Sequence, residues 1–109
     1  MSPQATLLRR YRELANAYTG MLTAAQQGDW NAVSAAELGC RARIEDLRAQ
    51  GEVPLDAEAT KQKFTLLQRL LADDAEIRDL ALPWMRRLED LLAGAGNARR
   101  LSARYGGAP

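Results

Sequence analysis

The sequence predicts an all-α protein: an antiparallel helical bundle of three main helices, the third long and kinked at a proline, followed by a short C-terminal fourth helix. Three observations predict it. Apolar residues recur at alternating spacings of three and four through three long stretches. Short Gly-containing turns separate those stretches. Nowhere do β-branched residues alternate over a usable length, so no strand competes. The 109 residues read as a single helical-bundle domain.

The first helix, expected over residues 3–27, starts at Ser2-Pro3, with Ser as N-cap and Pro where a missing N–H costs nothing. Leu7, Tyr11, Leu14, Tyr18, Met21 and Ala25 form its seam, and Gly28 stops it. Asp29 caps a second helix, 30–50, whose seam is Trp30, Val33, Glu37, Cys40, Ile44 and Leu47. The turn Gly51-Glu52-Val53-Pro54 leads to Asp56, the N-cap of a third helix over 57–93. That helix carries Phe64, Leu67, Leu70, Leu71, Ile77, Leu80, Trp84, Leu88 and Leu91. Pro83 lies inside it, removing the hydrogen bond to the Asp79 carbonyl and predicting a kink or interruption. Gly94 and Gly96 end it, and Asn97 caps a last helix over 98–105.

Composition narrows the function classes. There is no histidine, hence no His-based nucleophile pair, no His metal ligand and no imidazole base. Neither G-x-x-x-x-G-K-[ST] nor G-x-G-x-x-G occurs, so the common phosphate cradles are missing. No enzyme activity, metal or cofactor is expected. The net charge of +1 calls for no direct nucleic-acid contact, and no stretch approaches the roughly 20 apolar residues of a membrane span. The lone Cys40 cannot form an internal disulfide and reads as a small core residue; the N-terminus shows no signal peptide. The expected location is the cytoplasm.

Short turns force neighbouring helices antiparallel, which places Leu47 near Tyr11, Phe64 near Cys40 or Ile44, and Ile77 near Trp30. The first two helices are then used up while the third runs on for about 20 Å at about 1.5 Å per residue. Ile77, Leu80, Trp84, Leu88 and Leu91 are the candidate partner-binding residues on that stretch. The preceding charge run, with Asp73, Asp74 and Arg78, is either a solvated face holding an Asp74–Arg78 pair or the polar rim of the binding surface. Leu101 and Tyr105, four apart on the last helix, are positioned to fold back as a lid. Arg99, Arg100 and Arg104 would then dock on the acidic run. Glu37 either pairs with Arg41 one turn on or fixes register toward a partner; the local pair has the simpler basis.

Gly-Asp-Trp at 28–30, Ala-Glu at 36–37, Asp-Asp-Ala-Glu-Ile-Arg-Asp-Leu at 73–80, Pro-Trp-Met at 83–85 and the terminal Arg-Arg-Leu-Ser-Ala-Arg-Tyr-Gly resemble the FliT family of flagellar export chaperones over nearly the whole chain. The resemblance implies a small cytoplasmic bundle that binds the flagellar filament-cap protein, prevents its premature assembly and escorts it to the type III export apparatus. It further implies contacts with the export ATPase and export gate, and with the master transcription activator of flagellar genes. In that family the C-terminal helix covers part of the binding surface, a role that falls here on Leu101 and Tyr105. A second reading of the residues stays open beside it: two copies pair through the long third helix, and the protein is a homodimeric, coiled-coil scaffold.

Overall fold

The computed structural model describes the backbone of residues 2–104 and the side chains of residues 2–94. Three helices follow in order, α1 (Pro3–Gln26), α2 (Trp30–Gln50) and α3 (Ala57–Arg104), with no strand among the described residues. The chain divides into two units, Met1–Arg78 and Asp79–Pro109. The first holds α1, α2 and the opening turns of α3; the rest of α3 belongs to the second.

The starts and stops follow from the local chemistry. Ser2 Oγ accepts from the Ala5 N–H at 3.1 Å, ahead of Pro3 in the first turn. At the other end of α1, the Gly28 N–H donates to the Ala25 carbonyl and the Asp29 N–H to the Ala24 carbonyl, both at 3.0 Å. This pairing requires a left-handed residue, which Gly28 supplies at φ 72°. Asp29 Oδ1 accepts from the Ala32 N–H at 3.1 Å and opens α2.

Asp56 opens α3 and also fastens it to α1. Its Oδ1 accepts from the Ala59 N–H at 2.8 Å, and its Oδ2 from Gln4 Nε2 at 2.9 Å. The Ala59 bond, then the Gln4 bond, hold the Asp56 carboxyl below its usual 3.8. A carboxylate whose pKa is lower folded than unfolded stabilises fully above about 3.8 and loses that contribution as pH falls. Asp56→Asn, which keeps an accepting oxygen, is therefore expected to flatten part of the acid limb of the stability–pH curve. Urea unfolding followed from neutral pH to pH below 3.8 checks it; an unchanged acid limb overturns it.

The first unit is built around one cluster. Leu14, Met21, Leu22 and Ala25 of α1, Cys40 of α2, and Leu70 and Ile77 of α3 are buried together. Tyr18, Trp30, Val33, Ala36, Ile44 and Leu47 pack against them. Ile77 and Trp30 thus share the cluster as expected, and Tyr11 and Leu47 line one groove. Burial raises the Cys40 thiol above its ordinary value. Polar contacts tie the helices at the rim: Arg10 donates to Gln50 Oε1 at 2.8 Å, Arg43 meets Glu13 at 3.3 Å, and Lys63 lies 5.6 Å from the Tyr11 ring centre.

Four expectations need correction. Ala36, not Glu37, packs on the core; Glu37 is exposed and pairs with Arg41 at 2.7 Å, so the local-pair reading of Glu37 holds. The two positions lie about 100° apart on the helix, and the small side chain takes the crowded one. Phe64 is 60% exposed instead of facing Cys40 or Ile44. The inward positions of α3 are Ala59, Leu66, Leu70 and Ile77, roughly a quarter-turn or more from Phe64. The Pro83 kink and the separate fourth helix gain no support, because α3 is one helix through Pro83 and on to Arg104. Pro83 deletes a single hydrogen bond, and Asp79 is exposed enough for water to satisfy its carbonyl. Glycine inside a helix costs only about 1 kcal/mol relative to alanine, too little to force a stop at Gly94 or Gly96.

Candidate protein-binding surface

The residues expected to bind a partner separate into three groups. Ile77 is 8% exposed and sits in the core cluster of the first unit. Asp73 and Asp74 are half-buried. Asp73 Oδ2 accepts from Thr19 Oγ1 of α1 at 3.0 Å, and that hydroxyl in turn accepts from Arg69 at 2.8 Å. Arg69 also donates to Asn16 Oδ1 at 2.9 Å, so this polar group fixes the seam between α1 and α3. Asp74 pairs with Arg78 at 2.9 Å, the local i, i+4 pair. Burial, and after it the Asp74 charge, raises the Tyr18 phenol above its ordinary value.

The third group lies in the second unit and is exposed. Trp84 is 51% exposed, Leu88 53% and Leu91 67%, with Leu80 less open. Leu82, Met85 and Leu92 are exposed as well, and the seam-based reading did not single them out. The signal was present in the sequence for two of them: Met85 and Leu92 fall one position beside the seam residues Trp84 and Leu91, which widens the apolar band there, whereas Leu82 lies on another side of the helix. Arg87 lies over the Trp84 ring at 6.0 Å from its centre. Thus seven large apolar side chains crowd thirteen consecutive positions of α3 and all reach solvent.

That arrangement is suited to burying apolar surface against another protein. Singly exposed apolar residues are ordinary on a protein surface, whereas Trp84, Met85, Leu88, Leu91 and Leu92 share one side of the helix and make it a candidate interaction site. Among the described residues no group of carboxylates and Cys is placed to hold a metal ion, and no helix is long and apolar enough to cross a membrane. The lid residues give no geometry. Leu101 lies within α3, beyond the described side chains, and Tyr105 is outside the described residues. α3 stays helical through 94–97, where the fold-back turn would have to be. Docking of Arg99, Arg100 and Arg104 on the acidic run needs the same turn.

Comparison with known proteins bears on the whole chain. The profile of the family described as "Flagellar protein FliT" matches residues 8–107. The crystal structure of flagellar protein FliT from Bordetella bronchiseptica superposes with a TM-score of 0.72 at 41% identity, covering 78% of this chain and 97% of that one. Among curated proteins no sequence matches. A family match over nearly the full length and a solved relative of the same helical fold agree: the chain belongs to the flagellar protein FliT family.

Proposed function

We propose that this protein is an export chaperone of the flagellum. In the cytoplasm it binds the filament-cap protein, prevents its premature assembly and escorts it to the type III export apparatus, where the export ATPase and export gate are its further partners. Binding of the master transcription activator of flagellar genes would couple export to expression. The observation that carries this reading is the exposed band Leu80, Trp84, Leu88 and Leu91 in a member of this family. An amphipathic helix of the cap protein is a suitable guest, since it offers an apolar stripe of matching pitch. Asp73, Asp74 and Arg78 belong in this reading to the supporting structure, because each is already engaged within the first unit.

Titration of the purified filament-cap protein into the chain, followed by calorimetry, tests the proposal. Saturable binding with a negative heat-capacity change, the mark of apolar burial, is expected. Absence of any heat or complex at high micromolar concentration sinks it.

A further inference from the structure

Within the first unit, the start of α1, the end of α2 and the connection that follows α2 line an open cavity of about 630 Å³. That volume falls within the ~300–1,000 Å³ of small-ligand sites. The walls are largely apolar: Leu7 is buried, and Tyr11, Leu47 and Val53 are half-buried. The connection is fixed at both ends. Gly51 turns the chain at φ 73°, a left-handed value that would strain another residue. Asp56 exchanges two hydrogen bonds with Gln4 of α1: its backbone N–H donates to Gln4 Oε1 at 3.0 Å, and its carboxylate accepts from Gln4 Nε2 at 2.9 Å. The cavity is thus built in advance of any ligand, which lowers the cost of binding one.

Two charged side chains border the cavity, and neither forms an ion pair with another described residue. Lys63 of α3 is half-buried, its ammonium 5.6 Å from the Tyr11 ring centre. Glu52, on the connection, is exposed. A half-buried cation that has a ring face but no counter-anion gains most from an anionic acceptor brought by a ligand. From this we infer that the cavity binds a monocarboxylate with an apolar tail, a medium-chain fatty-acid anion. Its carboxylate accepts from the Lys63 ammonium, and its tail lies along Leu7, Leu47 and Val53. A bare anion would leave those walls unused, an uncharged tail would leave Lys63 unpaired, and a second negative charge would meet Glu52. Apart from Lys63, Glu52 and the Tyr11 hydroxyl, the lining side chains carry no polar group. A peptide end would therefore bring N–H and C=O groups that these side chains cannot match, whereas an alkyl chain brings none. The site uses no residue of the exposed band, so it goes beyond the chaperone reading and does not depend on it.

Calorimetric titration of sodium decanoate, kept below its micellar concentration, into the full chain tests the site, with amide chemical shifts to locate it. Saturable binding is expected, with shift changes centred on Leu7, Tyr11, Leu47, Val53 and Lys63. Lys63→Met, which keeps an apolar stem and drops the charge, should weaken binding by about tenfold or more, whereas Lys63→Arg should retain it. Decanol lacks the charge and decanedioate doubles it, so each should bind the unaltered chain about tenfold more weakly than decanoate. Glu52→Gln should recover part of the loss for decanedioate. Absence of saturable binding up to the micellar limit overturns the site. So do shift changes centred on residues 84–92, undiminished binding by Lys63→Met, or decanol binding as tightly as decanoate. If Lys63→Met loses helicity, the decanol comparison on the unaltered chain decides the matter. None of these outcomes bears on capture of the cap protein.

Discussion

Replacing Trp84 or Leu88 with aspartate should abolish capture of the filament-cap protein, weakening binding by about thirtyfold or more, while far-UV helicity stays at the wild-type level. Central anchors of an interface, tryptophan foremost, each cost about 2 kcal/mol or more when truncated, and a buried unpaired carboxylate at either position adds to the loss. Both side chains are more than half exposed in the free chain, so the folded monomer gives up little when they change. Surface substitutions of this kind shift stability by about 0.5 kcal/mol or less. Calorimetric titration beside circular dichroism checks both halves. Undiminished affinity removes these residues from the interface; collapse of helicity makes them structural instead.

Ile77→Ala provides the opposite result. Ile77 closes the core cluster beside Ala25, Cys40 and Leu70, so its truncation leaves a cavity where α1, α2 and α3 meet. Such losses run to about 2–5 kcal/mol, a large fraction of the ~5–15 kcal/mol that holds a small domain together. Leu88→Ala, eleven positions on, should move the urea midpoint hardly at all. The pair of measurements therefore marks where the core ends and the proposed binding surface begins. Equal midpoints for the two variants would refute that boundary.

Much of this was readable in the residues. Ser2-Pro3, Gly28-Asp29 and Asp56 act as caps through their own side-chain oxygens and backbone freedom, which are local properties that a sequence states directly. The α1 seam was also legible because its apolar residues keep the helical spacing without interruption: Leu14, Met21 and Ala25 are buried. α3 was harder. Its inward row includes Lys63 and Asp73, polar residues held at the rim by Tyr11 and Thr19, so the apolar pattern alone pointed to Phe64. Those partners belong to another helix and are invisible along the chain. The end of α3 was misjudged for a different reason: Gly and Pro are statistical breaks whose penalties are modest, and an exposed helix absorbs them. The candidate surface was found by its excess of apolar residues, but its breadth, with Met85 and Leu92, needed the exposures.

Every interhelical hydrogen bond named above has α1 at one end. Arg10 and Glu13 hold α2, while Gln4, Asn16 and Thr19 hold the start and middle of α3. In the first unit α1 is thus the spine of a book, and α2 and α3 are its covers. A guest wedged between the covers would press on the apolar contacts there and spare the stitching named along the spine, so the unit could yield on that side without coming unbound.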